Sequence, residues 1–138
     1  MFSETSIVFF AIGMTETIFK TSNFQKKGKN KEALPYFDKA VQIDPTDPLC
    51  YSNRAYSKYK LGAHLAALAD INLSIKLYPT NSYAFRNRAL IYQALKEDKK
   101  ACEDIDQALA LGFTKMYGEE VEELKKKYCD NKIQSLSN

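Results

Sequence analysis

The chain has 138 residues, 45% of them hydrophobic and 27% charged, a balance that excludes a disordered or low-complexity chain and suits one domain or a short repeat array. Twenty Lys and Arg against 17 Asp and Glu leave a formal charge of +3, a mild bias that calls for no nucleic-acid partner. Three cysteines, Cys50, Cys102 and Cys129, are too few and too far apart for a disulfide framework or a closed zinc site. Reduced thiols in a cytoplasmic setting are the expectation, with an exported form as the alternative.

Residues 1–13 read as a leader segment. Within it and just beyond, Ile7 to Met14 is an apolar run, well short of the roughly 18–20 residues that cross a bilayer. Such a run has the length of a signal-peptide core, but Met1 to Ser6 carries Glu4 and no Lys or Arg. It suits equally the end of an apolar core, or an upstream extension with Met14 as the start.

From there a 34-residue period governs the sequence. Pro45 and Pro79 stand 34 apart, as do Gly28 and Gly62, Tyr51 and Phe85, and Ala55 and Ala89. Ala33, Ala67 and Ala101 share one column, and Phe37, Ile71 and Ile105 another. Each period predicts two helices. In the second period, Tyr51, Ala55, Tyr59 and Leu61 step at helical spacing, and Gly62 ends that helix. Leu65, Leu68, Ile71, Ile75 and Leu77 then mark a second apolar face, which Pro79 stops. The third period uses Phe85, Ala89 and Tyr92, then Ile105, Ala108 and Leu109, and ends at Gly112. Beyond it, Tyr117, Val121, Leu124 and Tyr128 form one stripe, with Glu119 to Glu123 early and Lys125 to Lys127 late, as the helix dipole favours. A capping helix over 116–129 and a frayed tail over 130–138 are expected.

These residues resemble the tetratricopeptide repeat family. Phe24, Ala33, Phe37, Ala40 and Pro45 fit its pattern in a first repeat, and Tyr51, Ala55, Gly62, Ala67, Ile71, Ser74 and Pro79 in a second. Phe85, Ala89, Tyr92, Ala101, Ile105 and Ala108 fit it in a third. The resemblance implies an all-α solenoid of three antiparallel helix hairpins, 14–47, 48–81 and 82–115, closed by the capping helix. Small residues let the helices approach, aromatics fill the facing space, and stacking covers stripes that one hairpin leaves bare. The sequence departs from the pattern at Lys96, where glycine is usual, and at Phe113, where proline would sit. Thr17 and Lys20 stand for an aromatic and a leucine, and Pro35 is tolerable only near its helix's first turn.

The resemblance further implies a concave groove, lined by first-helix residues, that holds a peptide of another protein. The groove positions are Ser22 and Gln25, then Asn53, Tyr56, Tyr59 and Lys60, then Tyr83, Arg86, Asn87 and Gln93. Amides there can bond a peptide backbone, and tyrosines offer area at low entropy cost. Arg86 and Lys60 favour an acidic segment. The family's five-residue carboxylate clamp for chaperone tails is matched at Asn53 alone, since Ile18, Ser22, Tyr83 and Asn87 replace its other members. Capture of such a tail is therefore not expected. Arg88 is expected to face the adjoining helix.

Nothing in the sequence builds a catalytic centre, and neither cofactor nor metal is expected. His64 is the single histidine, placed in the turn after Gly62 where packing or solvent suits it. Cys102 reads as a small core residue, and the acidic pairs near 119–123 as an exposed, ion-paired surface. The turn Lys26 to Lys31 is basic, but Glu32 follows at once. The expected function is non-catalytic protein–protein interaction. Self-association through exposed apolar residues near Ile7 to Phe10, or at Leu65 and Leu68, is the alternative.

Overall fold

A computed structural model of the chain describes residues 20–131 other than 22 and 25, and every regular element among them is helical. Ser22, Gln25, Ile18, the leader and most of the tail therefore lie outside the described residues. The helices are α1 (Asn30–Ile43), α2 (Pro48–Lys60), α3 (His64–Leu77), α4 (Ser82–Ala94), α5 (Asp98–Ala110), α6 (Phe113–Tyr117) and α7 (Glu120–Lys125), followed by a π-helical turn, Lys126–Asp130. Starts at 30, 64 and 98, and at 48 and 82, keep the 34-residue spacing read from the sequence.

Local chemistry sets these boundaries. The Asp47 carboxylate accepts from Leu49 N at 2.9 Å and Pro48 opens α2, so one orphan donor is bonded and the next position has none to bond. Asn81 caps α4 in the same way, accepting from Tyr83 N at 3.1 Å. After α2, Gly62 turns left-handed (φ 83°) and Ala63 N donates back to Lys58 O at 2.9 Å. Lys96 takes that role after α4 with φ 62°, and Glu97 N donates to Tyr92 O at 2.9 Å. The closing geometry thus survives without glycine, at the steric cost of a left-handed side-chain-bearing residue. Pro35 falls in the second turn of α1, one turn later than the sequence suggested, because the helix starts already at Asn30. It has no N–H to give the carbonyl one turn back.

The chain divides into two compact units at Asp70 and Ile71, with α3 running across the division. In the first unit α1 packs on α2, and Ala33, Phe37, Ala40, Tyr51 and Ala55 are buried. Tyr51 also donates its hydroxyl to Pro45 O at 3.0 Å. In the second unit α4 packs on α5, and the core is Phe85, Ala89, Ile105, Ala108, Phe113 and Val121. Phe113, at the expected proline position, is a buried core residue instead of a stop; Gly112 before it turns the chain at φ 83°.

Two expectations are corrected. The single capping helix over 116–129 is instead α6, α7 and the π turn, because Gly118 (φ 94°, ψ −173°) cannot continue a right-handed helix. Val121 and Leu124 of the expected stripe reach the core, whereas Tyr117 is exposed. On α3, the apolar face read from the sequence is not buried throughout: Leu65 is 74% exposed and Leu77 40%. Ala67, two residues on, is fully buried and turns Leu65 outward.

Candidate functional site

The first-helix residues of each unit divide by depth. On α2, Tyr51, Ser52 and Ala55 point into the unit, leaving Asn53, Tyr56 and Tyr59 partly exposed and Lys60 exposed. Tyr56 and Tyr59 lie 6.1 Å apart by ring centroid, and Tyr59 lies 5.8 Å from the His64 ring. His64 is therefore packed in the turn, with Nδ1 buried and without a hydrogen-bond partner. Leu49 belongs to this face as well: it is 34 residues before Tyr83 and more than half exposed. The sequence reading passed over it, although the same column carried the signal.

On α4, Tyr83 and Gln93 are partly exposed while Arg86 and Asn87 are buried. Arg86, at 9% exposure, donates through Nη1 to Asn87 Oδ1 at 2.9 Å and through Nη2 to Glu120 Oε1. Its guanidinium also sits 5.8 Å from the centre of the Tyr83 ring, which in turn stands 5.7 Å from Tyr117. The groove cation expected from the sequence is thus held by the chain's own carboxylate. Glu120 lies 34 residues after Arg86, in the same column, and sequence reasoning counted it only as wet surface. Gln93 Nε2 is buried with no hydrogen-bond partner among the described residues.

Arginines elsewhere are structural. Arg54 donates to both Asp70 oxygens at 2.8 Å and to Asp38 at 2.9 Å. One repeat later, Arg88 donates to both Asp104 oxygens at 2.7 Å and to Asn72 at 3.0 Å. Hydrogen bonding to the aspartate is the main cause that holds both guanidinium groups above their ordinary pKa. Arg88 faces the adjoining helix, as its sequence position suggested.

The cysteine expectation is overturned in part. Cys102 and Cys129 form a disulfide, because α5 and the π turn pack together and bring their Cα atoms to 5.8 Å. Sequence spacing of 27 residues carried no sign of that proximity. Cys50 is a free, buried thiol that donates to Asp47 Oδ2 at 3.2 Å; burial, then that bond, push its pKa up to about 12. It is a poor nucleophile in that state. Among the described residues no cluster of His, Cys, Asp and Glu could hold a metal ion, and no helix is long and apolar enough to cross a membrane.

A tetratricopeptide repeat family model matches residues 22–47. Among solved structures, the first such domain of Spaghetti (RPAP3), bound to the HSP90 peptide SRMEEVD, is 25% identical with a TM-score of 0.76, covering 91% of this chain and 94% of that one. The TPR2B domain of yeast Sti1, in a complex with pHsp70, has the same identity and TM-score over 89% of this chain and 98% of that one. The Sgt2 domain of Aspergillus fumigatus reaches a TM-score of 0.77 at 19% identity, covering 90% of this chain and 81% of that one. No curated protein matches the chain in sequence. Repeat match, helix spacing and fold agree: residues 22–47 match a tetratricopeptide repeat, and the chain has the all-α fold of the tetratricopeptide repeat domains it resembles.

Proposed function

We propose that the protein is a non-catalytic interaction module that holds a peptide segment of another protein along the first-helix faces of its repeats. The contact residues are Asn53, Tyr56, Tyr59 and Lys60 on α2 and Tyr83, Arg86, Asn87 and Gln93 on α4. The observation that carries this reading is the partly exposed Asn53, Tyr56 and Tyr59 on α2, with Tyr83 and Gln93 at the matching helix of the next repeat. An amide donor beside an aromatic surface suits a peptide backbone with an apolar side chain. The neighbours seen with HSP90 and HSP70 peptides support the use of such faces for peptides. Tyr83 and Asn87 stand where a chaperone-tail clamp would need cations, so that specificity is not part of the proposal.

A peptide-display selection on the full chain tests the reading. Enriched peptides should bind the wild type and lose affinity for Asn53→Ala with Gln93→Ala, while far-ultraviolet dichroism stays unchanged. Unaltered binding by that variant would refute these faces. A cytoplasmic location belongs to the same proposal, a setting in which the Cys102–Cys129 disulfide is open to reduction. Self-association is a second reading, favoured by exposed Leu61 and Leu65 in the first unit. Sedimentation that depends on concentration and is abolished by Leu65→Glu would establish it.

A further inference from the structure

We propose that the Cys102–Cys129 disulfide is a redox latch that keeps Glu120 on Arg86 as an internal acidic ligand, so that reduction opens this face of α4 to the carboxylate of a partner segment. The inference rests on the peptide-binding reading above and adds its regulation. Arg86 is the buried cation of the α4 face, and the carboxylate on it comes from a side chain about half exposed to water. An internal carboxylate at the water's edge stands where an external one would have to enter, and the two exclude each other.

The disulfide is the covalent tie on the segment that carries Glu120. Helix α7 has six residues and runs on into the five of the π turn, together still too short to persist alone. Its non-covalent anchors include fully buried Val121, Leu124 packed on the same core, a Thr114 hydroxyl donating to Glu122 at 2.8 Å, and the Lys125–Asp106 pair. That last pair is exposed on both sides, where ion pairs hold little. The covalent bond at Cys129, nine residues past Glu120, closes the far end onto α5. Neither half-cystine is fully buried, so a small reductant reaches them.

The chemistry is thiol–disulfide exchange with a dithiol. One thiolate of the reductant attacks a sulfur of the bridge, breaking it and forming a mixed disulfide, and the second thiol resolves that intermediate. The reductant leaves as its cyclic disulfide. Two electrons and two protons end on Cys102 and Cys129 as thiols.

Fluorescein-labelled hexaglutamate with a free C-terminal carboxylate serves as an acidic probe, read by anisotropy on the full chain, oxidised and after dithiothreitol. Reduction should raise affinity by about tenfold or more, as should Glu120→Gln in the oxidised chain, whose affinity then no longer depends on redox state. Hydrogen exchange gives a readout free of any ligand: amides 119–125 should lose protection on reduction and in Cys102→Ser with Cys129→Ser, while those of α5 keep theirs. Unchanged protection at 119–125 overturns the latch and leaves the peptide-binding proposal standing. Lost protection with no gain in probe affinity, in either the reduced chain or Glu120→Gln, overturns Glu120 as an internal ligand. Loss of display-selected peptides from Asn53→Ala with Gln93→Ala remains the separate test of peptide binding itself.

Discussion

Asp104→Ala removes the best-buried ion-paired anion among the described residues. The Asp104 side chain is 6% exposed and Arg88 21%, and the guanidinium gives it two bonds of 2.7 Å. Deleting one partner of a buried pair costs about 3–5 kcal/mol, mostly because the other charge stays behind in a poor medium. Here Arg88 keeps a bond to Asn72 at 3.0 Å, lies against the Phe85 and Tyr92 rings at 5.4 and 5.6 Å, and retains some water. Those contacts place the loss at the lower end, about 3 kcal/mol. For a chain of this size that corresponds to a fall of roughly 10 °C in Tm. Urea and thermal unfolding of the full chain measure it. The double variant Arg88→Met with Asp104→Leu should recover much of the loss, because no stranded charge remains. Lys125→Ala, which breaks an ion pair exposed on both sides, should cost less than about 1 kcal/mol. A loss below about 1 kcal/mol in Asp104→Ala, or a double variant no more stable than the single one, would refute this account.

Lys96→Gly should raise stability by about 1 kcal/mol in urea unfolding, since it relieves the φ of 62° that a side chain resists. Phe113→Ala should lower it by about 3–4 kcal/mol, leaving a void among Phe85, Ile105, Ala108 and Val121. Cys50 should resist thiol reagents at pH 8 in the native protein and react on unfolding, as titration with a chromogenic disulfide would show. Because its folded pKa is raised from 9.0 to about 12, its contribution to stability is complete below pH 9 and disappears as pH climbs toward 12. Unfolding curves of wild type and Cys50→Ala should therefore diverge in their alkaline pH dependence.

Much of the fold was legible because its determinants are local or periodic. Asp47-Pro48 and Asn81 announce helix starts, and the alanine and aromatic columns fix which faces are buried. The C-terminal region was harder. A left-handed Gly118 interrupts a stripe whose apolar spacing alone looks continuous, and no pattern in the sequence couples Cys102 to Cys129. For the proposed site, the 34-residue column put Tyr83, Arg86 and Gln93 on the first helix of their repeat, but a column gives no depth. Whether Arg86 faces water or Glu120 depends on where the chain after Gly118 settles, which is a tertiary matter.

The two arginine forks bear on how the protein can be cut. Arg54 grips an acid of its own hairpin, Asp70, and one from the hairpin before, Asp38. Excising residues 48–81 as a free-standing piece would sever Arg54 from Asp38, a partner that its own hairpin does not replace. Fragments meant for expression should overlap instead of abutting at hairpin borders, each keeping the last helix of its predecessor.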